Sequence, residues 1–138
     1  MDPVLALVTG ITLLTVVGIA FGGTFMLRVV SGAHGANDLQ KTMFRAGHAH
    51  AGVLVTLGLV VALLTQAAGV GAVWSTTGSV LVLSAAIFVP LGFFLSVLGT
   101  DPQRPNGWIR SVWAGFVVLV AGLIVSGIAT IAAAATAL

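Results

Sequence analysis

Four stretches of this sequence, Val4 to Leu27, Ala46 to Ala68, Thr77 to Gly99 and Trp108 to Ala135, run without a single aspartate, glutamate or lysine. A helix that crosses a bilayer needs about 20 mostly apolar residues, and each stretch meets that length. The connections between them are too short for a further domain. The expectation is therefore one all-α polytopic domain over residues 1–138, a bundle of four transmembrane helices with the lipid bilayer as its first partner. Composition agrees: 59% of the residues are hydrophobic and 6% charged, against roughly a quarter charged in a soluble domain. The first stretch is expected to stay as a permanent helix. Asp2 stands where a signal peptide would carry basic residues, and the apolar run is too long for one.

The few charges orient the bundle. Arg28, Lys41 and Arg45 flank the first connection, Arg104 and Arg110 the third, and the second connection, Gly69 to Thr76, carries none. Basic residues collect on the cytoplasmic side of membrane proteins. Connections one and three are therefore expected in the cytoplasm and both the N-terminus and the C-terminus outside, in the cytoplasmic (inner) membrane. All five basic residues agree, which argues against insertion in both orientations. Dispersed in this way they form no phosphate-binding stripe, so the pI near 10.7 does not point to nucleic acid. Trp108 and Trp113 at the start of the fourth span and Trp74 in the outer connection suit the membrane interface. Residues Ser31 to Asp38 read as a flexible loop, and Asp101 to Gly107 as a tight turn.

The chain has no cysteine. Disulfides, thiolate metal sites, iron–sulfur clusters and covalent c-type haem attachment are excluded, and histidine is the only strong nitrogen ligand left. Two of the histidines stand in the segment Arg45-Ala-Gly-His48-Ala-His50-Ala-Gly52, at the mouth of the second span. Residues two apart on a helix diverge by about 200°, so His48 and His50 cannot ligate one metal from one regular helix. Arg45, His48 and Gly52 do share a face, at spacings of three and four. Gly52 leaves a slot beside the imidazole, a place for a flat cofactor such as haem b, with His48 or His50 as axial metal ligand and Arg45 paired with a propionate. The second axial ligand must then come from another protomer, or from His34 if the first loop folds inward. The plainer reading is that Arg45 is an interfacial anchor that snorkels to headgroups. The histidines, within about 8 Å of the membrane surface at 1.5 Å rise per residue, are on that reading simply hydrated. A pH-responsive hydrogen-bonding role is a further alternative.

The segment Phe44-Arg-Ala-Gly-His-Ala-His-Ala-Gly-Val-Leu resembles the start of the helix that carries a haem ligand in the catalytic subunits of haem-copper oxidases and nitric oxide reductases. It is similar also to the His-x-His segment of small stand-alone membrane proteins related to them. The resemblance implies an axial-ligand role for His48 or His50 and extends no further. That superfamily has about twelve spans, and the histidines on its later helices have no counterpart here, since spans one, three and four contain none. Oxygen or nitric oxide reduction by this chain is not expected.

With no acidic residue or lysine inside a span, transport mechanisms built on buried ionisable groups lose their basis. No Ser-His-Asp arrangement, paired carboxylates or phosphate loop is present, so stand-alone catalysis is not expected. Pro90 interrupts the third span and is expected to kink it, freeing the Ala86 carbonyl for Ser84, water or a neighbouring helix. Phe88, Phe93 and Phe94 around it wall a pocket, face lipid or fill the core. Small residues at helical spacing, Gly18 with Gly22, Gly47 with Ala51, Gly92 with Ser96, and Gly115, Gly122 and Gly127, form faces for close helix contact. They suggest a homo-oligomer or docking on a larger membrane complex. Thr9, Thr12, Thr15, Thr56, Thr65 and Gln66 are able to hydrogen-bond across helices or to line a thin polar path. The reading that follows is a small membrane protein holding haem for electron transfer, haem handling or gas sensing. The alternatives are a cofactor-free accessory subunit and, less favoured, a small histidine-gated pore or carrier.

Overall fold

A computed structural model describes residues 1–137. It contains four long helices: α1 (Pro3–Val30), α2 (Asp38–Ala67), α3 (Ala72–Leu95) and α4 (Arg110–Ala137), the last entered through a short 3-10 turn, Gly107–Ile109. All four are long and apolar enough to cross a membrane. Each start has a local cause. Asp2 caps α1 by accepting from the backbone N–H groups of Val4 and Leu5, with Pro3 in the first turn, where a missing N–H costs nothing. Asn37 and Gln40 form a reciprocal capping box, so α2 starts at Asp38, well ahead of the apolar stretch that begins at Ala46. The Asn106 carboxamide oxygen accepts from the Trp108 N–H and starts the turn into α4.

The helices form an open arc. The axis of the arc is α3, packed extensively on α2 on one side and on α4 on the other. α1 leans on α2 and touches α3 lightly, and α1 and α4 do not meet. Glycines set the tight spacing. A Cβ at Gly92 would lie 2.7 Å from the Val112 backbone nitrogen, one at Gly115 3.0 Å from that of Val89, and one at Gly122 2.9 Å from that of Val82. These glycines let the α3 and α4 backbones approach more closely than side chains permit. Gly58 receives Leu83 and Gly47 receives Phe93 and Phe94 across the α2–α3 seam.

The small-residue faces that suggested association between copies are thus largely used inside the chain. Gly10, Gly18, Gly52 and Gly127 remain with open space where a Cβ would stand. The Gly18–Gly22 pair is not a helix-crossing motif here, because only Gly22 has a neighbour, and that neighbour is an imidazole.

Most span hydroxyls are turned into their own helices. Thr9, Thr12 and Thr15 donate to the carbonyls of Ala6, Val8 and Thr12, and Thr56 donates to that of Gly52. They supply no line of free donors for a polar path. Two reach other helices: the Thr65 hydroxyl lies 2.6 Å from that of Ser75, joining α2 to α3 at the end remote from the basic residues, and the Ser111 hydroxyl joins α4 to the Phe88 carbonyl of α3. Helix α3 runs unbroken through the buried Pro90. Ser84 does not serve the freed Ala86 carbonyl, since its hydroxyl donates to Val80 instead.

The two connections at the basic end are tied to each other. Gln40, 6% exposed, donates from Nε2 to the carbonyls of Val97 and Gly99, at 3.1 and 3.0 Å. Asn37 Nδ2 donates to the Asp101 carboxylate at 2.7 Å and to the Pro102 carbonyl at 2.8 Å. The Asn106 N–H closes the third connection on the Ser96 carbonyl. The first connection therefore ends in a clamp and not in a loose loop, and the third is a pinned loop of which the expected turn is one part.

Candidate functional site

The segment from Phe44 to Gly52 lies in the first half of α2, just beyond that clamp, and its side chains divide between two faces. Gly47 presses against α3: a Cβ there would come 2.8 Å from the Phe94 ring. That contact sets the helix rotation. His48 is consequently turned toward α1 and His50 toward α3 and α4, as a 3.6-residue period requires of positions two apart.

The His48 ring is seated on the glycine pair of α1. A Cβ at Gly22 would stand 3.7 Å from His48 Nδ1, and one at Gly23 3.8 Å from Nε2, so the far edge of the imidazole meets the α1 backbone. Beside it runs a shallow groove of about 450 Å³, lined by Ile19, His48, Ala49, Gly52, Val53 and Thr56. The slot expected beside Gly52 exists, and His48 and Gly52 share it. Arg45 does not line it. Its Nε donates to the Lys41 carbonyl at 3.2 Å, and its side chain is exposed on the rim. Both ring nitrogens of His48 thus lie near the α1 glycines, while the half-buried residue borders the groove.

The surroundings of His50 are different. Its Nδ1 lies 2.8 Å from the Ala46 carbonyl oxygen. A carbonyl only accepts, so Nδ1 is the donor in this contact, and in the matching neutral tautomer the lone pair stands on Nε2. Aromatic rings flank it: Phe93 of α3 with centroids 5.2 Å apart and Phe116 of α4 at 6.5 Å, with Trp113 next to Phe116 at 6.4 Å. Histidines that ligate metals in proteins commonly hold the ring in this way, one N–H donated to a backbone carbonyl and the other nitrogen offered to the metal. His50 has the donor chemistry of an axial ligand without rearrangement.

His34 belongs to neither place. Its ring packs edge-on against Phe25 at 5.1 Å, at the head of an aromatic series that continues to Phe44 at 5.4 Å and Phe94 at 5.6 Å. The series ties α1, α2 and α3 together at the basic end. No group of three or more His, Asp or Glu side chains suited to a metal ion occurs among the described residues. The three imidazoles stand in separate places: His34 against Phe25, His48 against the α1 glycines, and His50 beside Phe93 and Phe116. Sequence reasoning missed Phe93 and Phe116 as neighbours of His50. The adjacency of Phe93 and Phe94 was the available signal, since consecutive helical residues point about 100° apart and serve two different neighbours.

Cations ring this end. Lys41 Nζ lies 3.3 Å from the Asp38 carboxylate, and Asp101 is engaged by Asn37. Arg28, Arg45, Arg104 and Arg110 are exposed and paired with no carboxylate among the described residues. Comparison with known proteins yields no matching family profile, no similar curated protein and no similar solved structure.

Proposed function

We propose that this chain is a multi-pass protein of the cytoplasmic membrane that holds haem b through His50. The basic end, with the first and third connections, faces the cytoplasm, and the second connection and both termini face outside. The observation that supports the reading is the 2.8 Å contact of His50 Nδ1 with the Ala46 carbonyl, which leaves the ring's other nitrogen, Nε2, for a ligand, with the rings of Phe93 and Phe116 beside the imidazole. Phe93 and Phe116 would border the porphyrin face, and exposed cations of the rim, Arg45 among them, would neutralise propionates. Bound haem would supply one-electron transfer or binding of a diatomic gas. The chain's own part is to orient the imidazole through the Ala46 carbonyl and to border it with aromatic rings.

An absorption spectrum of the purified protein tests this. The expected result is a Soret band, present on isolation or after titration with haemin, that His50→Ala abolishes and His48→Ala retains. A colourless protein that gains no Soret band from haemin would overturn the reading. Retention in His50→Ala with loss in His48→Ala would move the ligand to the α1–α2 groove.

A second reading, an accessory subunit of a larger membrane complex, is favoured by the open arc, in which α1 and α4 are left without each other as partners. It predicts that the chain extracted in mild detergent sediments as part of a larger assembly. Sedimentation as a monomer would end it.

A further inference from the structure

On the far side of α4 from the histidines, the entry into that helix forms a second recess. Asn106 shapes it: its Nδ2 donates to the Leu95 carbonyl at 3.0 Å, while its side-chain oxygen accepts from the Trp108 N–H at 2.9 Å. The chain is thereby turned so that a groove of about 750 Å³ opens between Phe88 of α3 and Ala114 of α4, rimmed by Trp108 and Arg110. Ser111 contributes no free polarity, because its hydroxyl donates to the Phe88 carbonyl at 2.8 Å. The uncommitted polar side-chain groups of the groove are the Trp108 indole N–H and the Arg110 guanidinium, the latter exposed and with no carboxylate partner among the described residues.

We propose that this groove binds an anionic phospholipid of the surrounding leaflet, its phosphate on Arg110 and an acyl chain laid along Phe88 and Ala114. The inference rests on the membrane-spanning reading and is independent of haem. A single cation above an apolar cleft matches the shape of an amphiphile. A guanidinium forms paired hydrogen bonds with phosphate oxygens, and an indole such as Trp108 settles at headgroup level. Gly107, without a side chain, and the methyl of Ala114 leave room for the glycerol and chain. The preference for an anionic headgroup follows from what the groove lacks: no carboxylate lines it to receive the ammonium of a zwitterionic lipid. The net positive charge of this end adds a general attraction for the same lipids.

The test counts lipids retained by the full-length protein. The protein is solubilised from vesicles containing equal parts phosphatidylcholine and phosphatidylglycerol, and its bound lipids are counted by native mass spectrometry. Wild type is expected to retain phosphatidylglycerol in excess. Arg110→Gln, which removes about one cation's worth of attraction, is expected to lower that retention about fivefold. Ala114→Trp, which fills the groove and keeps every charge, is expected to lower it as well. Arg104→Gln removes an equal charge from an exposed residue outside the groove and is expected to change little. Circular dichroism confirms that each variant is helical. Equal loss in Arg110→Gln and Arg104→Gln, or full retention in Ala114→Trp, would overturn the site in favour of diffuse surface attraction. Release of the protein from membranes by alkaline carbonate would instead overturn the membrane-spanning reading itself.

Discussion

At the scale of single residues, glycines do two different jobs that look identical in the sequence. At Gly92, a Cβ would stand 2.6 Å from Val112 Cγ2 and 2.7 Å from the Val112 nitrogen, so α3 and α4 must spread to admit it. Backbone cannot yield as a flexible side chain does, and overpacking of this kind costs about 1–3 kcal/mol. At Gly22 the nearest atoms are those of the His48 imidazole at 3.7 and 3.8 Å, ordinary contact distances. A methyl fits there, and Ala gains up to about 1 kcal/mol of helix propensity over Gly. Gly92→Ala is therefore expected to lower the unfolding midpoint in detergent, and Gly22→Ala to leave it unchanged or raise it. Similar losses in both variants would show that α1 is held against α2 far more tightly than the structure describes. The spacing of glycines made close packing legible in the sequence. It did not tell which of them meets a backbone, which meets a ring, and which meets nothing, because that depends on partners distant in the chain.

Among the elements, the clamp between the connections ties α2 to the α3–α4 pair at the basic end. Gln40 reaches two carbonyls of the third connection from a buried position, and both lose their donor if the side chain is cut back. Leaving the buried Val97 carbonyl unpaired costs about 1–3 kcal/mol. Gln40→Ala is expected to destabilise the protein by that order and to speed hydrogen exchange at the amides around Val97 and Asn106. Exchange there at the wild-type rate would show that the loop holds its shape without Gln40. Helix positions were readable from the apolar stretches, and the divergence of His48 and His50 followed from helical period alone. The clamp was not readable. Asn37 and Gln40 announce a helix start, but their bonds to Asp101 and Val97 span 64 and 57 residues and leave no periodic trace. The contact of His50 with the Ala46 carbonyl was hidden for a related reason, since it follows from a rotamer that Phe93 and Phe116 border.

For the molecule as a whole, charge and packing describe the same asymmetry. Every lysine and arginine lies at the end where α1 stops, α2 starts, α3 stops and α4 starts, and that end also holds the histidines, the aromatic series and the clamp. The opposite end has the Thr65–Ser75 contact and no basic side chain. A layer with all its cations on one side has one favoured orientation in a membrane, because moving that end across would carry exposed arginines through hydrocarbon. The orientation fixes which compartment supplies any ligand of His50 and which leaflet supplies the lipid at Arg110. The absence of cysteine makes it directly measurable. Gly71→Cys, at the exposed start of α3, is expected to react with an impermeant maleimide applied to spheroplasts, and Gln103→Cys only after the membrane is opened. The reverse pattern would put the basic end outside. Equal labelling of both positions in intact spheroplasts would mean that the charge asymmetry is too small to decide, leaving each face of the arc exposed to both compartments in different copies.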